Sequence, residues 1–133
     1  VTVITLSEFG RTTEENSDRG TDHAEAGVMF VAGGGVKGFN KGNPSGVFGA
    51  SPSDKVPWMP GTSGSMYGAS NRYLKRSIDY RSVLGKIIRD HLGASQEQLN
   101  RIIPGYATPT EFLKNGGTSA KDGTAIMGEV PIV

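Results

Sequence analysis

The sequence predicts an α/β protein, on the basis of two apolar, β-branched runs and one strongly amphipathic helix. The runs cover residues 1–6 and 28–32, and each is typical of a strand buried on both faces of a parallel sheet. A weaker third strand is expected over 129–133, where Pro131 favours an edge or a strand end. Because three strands are few for a parallel sheet, we expect the chain to be part of a longer polypeptide or to assemble with partners.

Helix boundaries follow from capping residues. The main helix is predicted over 80–92, with Asp79 as N-cap and Gly93 as the terminating glycine. A second helix is predicted to begin after Ser95, which forms a capping-box pattern with Gln98. This second helix is predicted to end before Pro104. Further along the chain we predict one helical turn over 110–114 and turns at 115–117 and 122–123.

Length and composition exclude several classes of protein. With 133 residues, the chain is long enough for at most one domain. Its net charge of +1 excludes a broad basic surface for nucleic acid. No apolar run approaches the roughly 20 residues that span a bilayer. The absence of cysteine excludes disulfides, thiolate metal sites and cysteine nucleophiles.

Glycine is concentrated in one part of the chain. Ten of the 20 glycines lie between residues 33 and 70, and a Gly/Pro/Ser-rich insertion loop punctuated by aromatic residues is predicted over 37–76. Gly33, Gly35 and Gly38 match the dinucleotide-binding pattern, but the residues that follow cannot open a helix. We therefore reject nucleotide binding and interpret these glycines as a sharp turn that leaves the sheet.

Candidate site residues flank the two predicted strands. Glu8 follows the first strand, and Asp22 with His23 precedes the second. If the strands run parallel, these side chains converge at one sheet edge, where carboxylate and imidazole donors suit a divalent metal. The alternative interpretation is a turn with a solvent-facing histidine. We interpret the basic cluster over 72–76 as a solvated surface and His91 as a structural helix-end residue.

Several sequence blocks, in this order, resemble the C-terminal region of the DUF1501 proteins, sulfatase-like relatives in the alkaline phosphatase superfamily. The blocks lie at 5–11, 20–23, 28–38, 79–84 and 92–93. The resemblance implies a partial three-layer α/β/α sandwich, alkaline phosphatase-like, with residues 1–133 forming the C-terminal portion of one domain. It also implies an exported protein, periplasmic or extracellular.

The same resemblance implies a function and a site. Glu8, Asp22 and His23 would hold one or two divalent ions (Zn, Mn, Ca or Mg), and Arg11 would lie near a bound anion. The implied activity is metal-dependent hydrolysis of phosphate or sulfate esters, with the nucleophile supplied by an upstream part or another subunit. The chain departs from the superfamily where Ser-Glu-Phe replaces a strand-end Asp-His.

A second hypothesis is a non-catalytic, exported structural or interaction protein that retains the fold. In that case the Gly-rich aromatic loop over 37–76 would be the contact surface. The isolated chain is expected to be inactive under either hypothesis, because a complete hydrolase site needs residues beyond those present here.

Overall fold

The structure, a computed structural model, describes residues 1–39, 46–49, 66–67, 71–107, 112–119 and 125–133. It contains short strands, which form antiparallel pairs, and helices. In chain order the elements are β1 (Thr2–Ile4), β2 (Gly10–Arg11), β3 (His23–Ala24), β4 (Val31–Gly33), α1 (Tyr80–Asp90), α2 (Gln96–Ile102), α3 (Phe112–Asn115), β5 (Gly116–Ser119) and β6 (Ala125–Met127). Most of the predicted insertion loop over 37–76 lies outside the described residues.

The first two predicted strands pair with each other, but in the antiparallel direction. β1 aligns with β4 so that Ile4 lies opposite Val31 and Val3 lies opposite Ala32. Ile4 and Val31 are half-buried against the core, whereas Val3 is 60% exposed. Side chains alternate between the faces of a strand, so one face of this pair packs inward and the other faces solvent. The expectation of parallel strands buried on both faces was therefore wrong.

Helix α1 forms where the sequence predicts it and carries the larger core cluster. The Asp79 side chain accepts a hydrogen bond from the Arg81 backbone N–H, which confirms the N-cap. The helix ends at Asp90, two residues early, and Gly93 adopts a φ of +73° beyond it. The core cluster around the helix consists of Val83, Ile87, Val130 and Ile132.

A second, smaller core lies between α1, α2 and α3. Ser95 and Gln98 form both hydrogen bonds of the predicted capping box at the start of α2. Leu99 and Tyr106 are essentially fully buried, and Leu113 joins them. These helices could be predicted from the sequence because capping and amphipathicity depend on residues only a few positions apart.

The C-terminal tail differs from the prediction. Residues 116–119 form β5, which pairs with β6 rather than lying in turns. Residues 129–133 form no strand, although Val130 and Ile132 are buried in the core. Gly116 allows the two backbones to approach closely beside the β5–β6 pair, because a Cβ at position 116 would lie 2.3 Å from the backbone nitrogen of Gly128. The predicted turn at 122–123 lies outside the described residues.

The segment that follows β4 contains the glycines that match the dinucleotide-binding pattern. Val36 donates its backbone N–H to the carbonyl of Gly33 at 3.1 Å, which closes a turn. Residues 34–39 contain no helix, as the sequence predicts. Mixed helices and small antiparallel strands agree with an α/β class at the coarse level. Across the described ranges, no helix is both long enough and apolar enough to cross a membrane.

Candidate functional site

The candidate residues gather around the short antiparallel pair of β2 and β3. Arg11 lies directly opposite His23, and Gly10 lies opposite Ala24. Glycine is needed at position 10, because a Cβ there would lie 1.8 Å from the carbonyl oxygen of Ala26. Opposed residues of an antiparallel pair project from the same face, so Arg11 and His23 are side by side.

The outer face of this pair carries an aromatic and cationic group. The rings of His23 and Phe9 stack with centroids 3.6 Å apart and planes 21° apart. The guanidinium carbon of Arg11 lies 5.0 Å from the Phe9 ring centroid, and Arg11 Nη1 donates to the Thr21 carbonyl at 2.8 Å. Within the described part of the chain, neither ring nitrogen of His23 has a hydrogen-bond partner. The outer face therefore presents an oriented guanidinium next to an imidazole.

Asp22 belongs to the opposite face. The Thr12 backbone N–H donates to the Asp22 carbonyl at 3.0 Å, and the Asp22 N–H donates to Thr12 Oγ1 at 3.0 Å. These bonds continue the β2–β3 alignment, so the strand alternation directs Asp22 away from His23. The Asp22 carboxylate accepts from Asn16 Nδ2 at 2.9 Å and forms a salt bridge with Arg72.

The structure thus brings some predicted site residues together and separates others. Arg11 and His23 are neighbours, Asp22 faces Arg72, and Glu8 is exposed. Among the residues described, no group of three or more His, Asp or Glu side chains is placed to hold a metal ion. As folded here, Asp22 and His23 offer their donor atoms in different directions.

Sequence reasoning missed three residues that shape this region. Phe9 orients His23, buried Thr12 holds the backbone of Asp22, and Arg72 occupies the Asp22 carboxylate. The basic cluster lies near the surface, but Arg72 and Arg76 are only about one-third exposed and pair with Asp22 and Glu25, which the interpretation as a solvated surface did not include. The acidic residues near Asp22 were the signal that could have suggested partners for these arginines.

Comparison with known protein families bears on the same segment. Residues 1–55 match the DUF1501 family model. The family is described as a protein of unknown function, and the match contains β1 to β4 and every candidate site residue. The resemblance to DUF1501 is thereby confirmed for residues 1–55. Searches of curated proteins and of solved structures found no match.

Proposed function

We propose that this chain is the C-terminal portion of a metal-dependent hydrolase of phosphate or sulfate esters, of the DUF1501 type. The observation that carries the proposal is the cross-strand pair of Arg11 and His23. A guanidinium is suited to an ester oxyanion, and an imidazole whose nitrogens have no hydrogen-bond partner among the described residues is suited to a divalent metal. In this proposal the unit is exported and adopts an alkaline phosphatase-like sandwich.

The donor chemistry fits a metal through His23 and the exposed carboxylate of Glu8. Asp22 fits only when Arg72 leaves its carboxylate, since both carboxylate oxygens already accept hydrogen bonds. A bound divalent cation would lower the pKa of a nucleophile and stabilise charge on the ester oxygens. The nucleophile and the remaining ligands come, in this proposal, from an upstream part or another subunit.

Metal binding by the chain as it exists tests this proposal. In titrations with Zn²⁺, Mn²⁺, Mg²⁺ or Ca²⁺, we expect calorimetry to detect weak binding of at least one cation, because this chain supplies only part of the ligand set. His23→Ala should abolish that binding. His91→Ala is the matched control, because His91 is the other histidine of the chain and lies exposed at the end of α1. Equal binding by both variants, or none by the wild type, contradicts the proposed site.

A second candidate function is a non-catalytic, exported interaction protein, and the outward face of β1–β4 favours it. Val3 of β1 is 60% exposed, and Phe30, which directly precedes β4, is 70% exposed, so two large apolar side chains lie open to solvent along this strand pair. Val3→Asp and Phe30→Asp should abolish self-association or partner binding measured by light scattering and pull-down. Leu92→Asp, at a similarly exposed apolar residue on the end of α1, is the control.

A further inference from the structure

Residues 71–76 lie against β2 and β3 although they are distant in sequence. We call this segment the strap. Arg72 forms a salt bridge with Asp22, and Arg76 Nη1 lies 2.8 Å from Glu25 Oε1. Asp22 and Glu25 flank β3 on either side. Two ion pairs therefore attach the strap at both ends of one short strand.

Thr13 adds to this attachment with hydrogen bonds from its backbone N–H and its side-chain hydroxyl. The Thr13 backbone N–H donates to the Arg72 carbonyl at 2.9 Å, and Thr13 Oγ1 lies 2.7 Å from the Asn71 carbonyl oxygen. Asn71 has a φ of +56°, a left-handed conformation that asparagine tolerates better than most residues. The strap also donates from the Lys75 N–H to the Met66 carbonyl at 2.8 Å.

Among the residues that the structure describes, apolar packing contributes little to this attachment. Neither described core cluster contains a strap residue, and Tyr73 is 46% exposed. The strap is thus held mainly by polar contacts near the surface. Salt screens interactions between exposed charges, and exposed ion pairs are individually weak, so such an attachment is sensitive to ionic strength.

We propose that the strap is held on β2–β3 by its two ion pairs, that it is released when these pairs are weakened, and that its release frees the Asp22 carboxylate from Arg72. The Asp22 side chain is 50% exposed with the strap docked, so release changes its charge pairing and not its burial. While the strap is docked, Arg72 and Asn16 occupy the two oxygens of that carboxylate. Docking and release of the strap do not depend on the proposed hydrolase function. Only the consequence for a cation at Asp22 rests on that function.

Amide hydrogen exchange on the complete chain tests the release. The Thr13 amide reports strap docking because it donates to Arg72, and the Leu99 amide in α2 is an internal control that donates to Ser95. Between low and high NaCl we expect Thr13 exchange to accelerate about fivefold to tenfold while Leu99 exchange stays constant. Parallel acceleration of both amides would show that the strap opens only with the whole fold, which overturns the proposal.

Variants separate the ion pairs from the backbone contacts. Arg72→Met combined with Arg76→Met should give fast Thr13 exchange at low salt and remove its salt dependence. Arg101→Met is the matched control, because Arg101 is exposed on α2 and forms no ion pair among the described residues. Unchanged Thr13 exchange in the double variant would mean that Thr13 alone holds the strap, and the proposal fails.

Carboxylate labelling tests whether the Asp22 carboxylate loses its Arg72 partner. A water-soluble carbodiimide with a small amine, read out by mass spectrometry, should modify Asp22 more slowly than Asp18 in the wild type at low salt, because Asn16 and Arg72 donate hydrogen bonds to both Asp22 oxygens. High salt or the double variant should accelerate that labelling, while the exposed Asp18 carboxylate serves as reference. Equal labelling of Asp22 and Asp18 in the docked protein overturns the proposal. Because no metal or activity is measured, this outcome is distinguishable from failure of the hydrolase proposal.

Discussion

The ring of Tyr106 lies so close to Gly85 of α1 that a Cβ at position 85 would be 2.3 Å from its carbon atoms. Tyr106 is fully buried, and its hydroxyl donates to Glu129 Oε1 at 2.8 Å and lies 3.1 Å from the Ser82 carbonyl oxygen. Arg89 completes the group by a two-pronged contact with Glu129 at 2.5 and 2.6 Å. This network fixes the C-terminal segment onto α1.

Gly85→Ala should destabilise the protein despite the higher helix propensity of alanine. The gain of about 1 kcal/mol from propensity is smaller than the cost of displacing a buried aromatic ring, so we expect a net loss of about 1–2 kcal/mol. Urea denaturation measures the free energy of unfolding. Gly34→Ala is the control, since a Cβ at Gly34 has nothing within 4 Å. Equal effects of the two substitutions would contradict the packing argument.

Tyr106→Phe should reduce the free energy of unfolding by about 1–2 kcal/mol. The substitution keeps the ring but removes the buried hydroxyl, so Glu129 loses one hydrogen-bond donor and the contact with the Ser82 carbonyl is lost, while Arg89 still pairs with Glu129. Thermal and urea unfolding measure the change. Tyr80→Phe, at a tyrosine that is 52% exposed, should leave stability nearly unchanged. A comparable loss at position 80 would show that the Tyr106 hydroxyl contributes nothing special.

Acid should weaken the same network. Burial raises the pKa of Glu129, but hydrogen bonds from Arg89 and Tyr106 and the Arg89 charge outweigh it, so the pKa is lowered from 4.5. Because the pKa of Glu129 is lower in the folded than in the unfolded protein, its charged carboxylate stabilises the fold at pH values above the unfolded pKa. This stabilisation is lost as the pH falls through the folded pKa. The pKa of Asp90 is lowered to about 2, first by its hydrogen bond from Arg89, and its contribution is lost in the same direction.

Glu129→Gln tests this pH dependence. The amide keeps the shape but cannot carry the charge, so the variant should be less stable than the wild type near neutral pH. The difference should shrink as pH falls below the ordinary glutamate value of 4.5 and through the lowered pKa of folded Glu129. Urea denaturation across this range gives the measurement, and Glu15→Gln, at an exposed carboxylate, is the control. A difference independent of pH would show that the Glu129 charge is not what stabilises the network.

Ser95→Ala should destabilise α2 by about 1 kcal/mol. The Ser95 side chain accepts from the Gln98 N–H at 3.2 Å, and the substitution leaves that donor without its cap. Faster exchange at the Gln98 amide and a lower free energy of unfolding are the expected readouts. Ser17→Ala, at an exposed serine in a turn, should change neither. Full stability of Ser95→Ala would mean that packing of Leu99 alone holds the helix.

Part of the candidate site was predictable from the sequence and part was not. Glu8, Arg11, Asp22 and His23 could be selected because they flank the apolar runs and match the DUF1501 pattern, and the family match covers them. Their mutual arrangement could not be predicted. It depends on whether β1 and β4 run parallel or antiparallel, and apolar composition is similar for both directions.

By itself the sequence determined the helices α1 and α2, because Asp79, Ser95 and Gln98 act on backbone groups within the same helical turn. The match of residues 1–55 to the DUF1501 family model also rests on the sequence alone. Only the tertiary structure decided which way the strands pair and which cations neutralise Asp22 and Glu25. Those partners lie 50 and 51 residues away, and side chains so far apart in the chain meet only when the rest of the fold positions them.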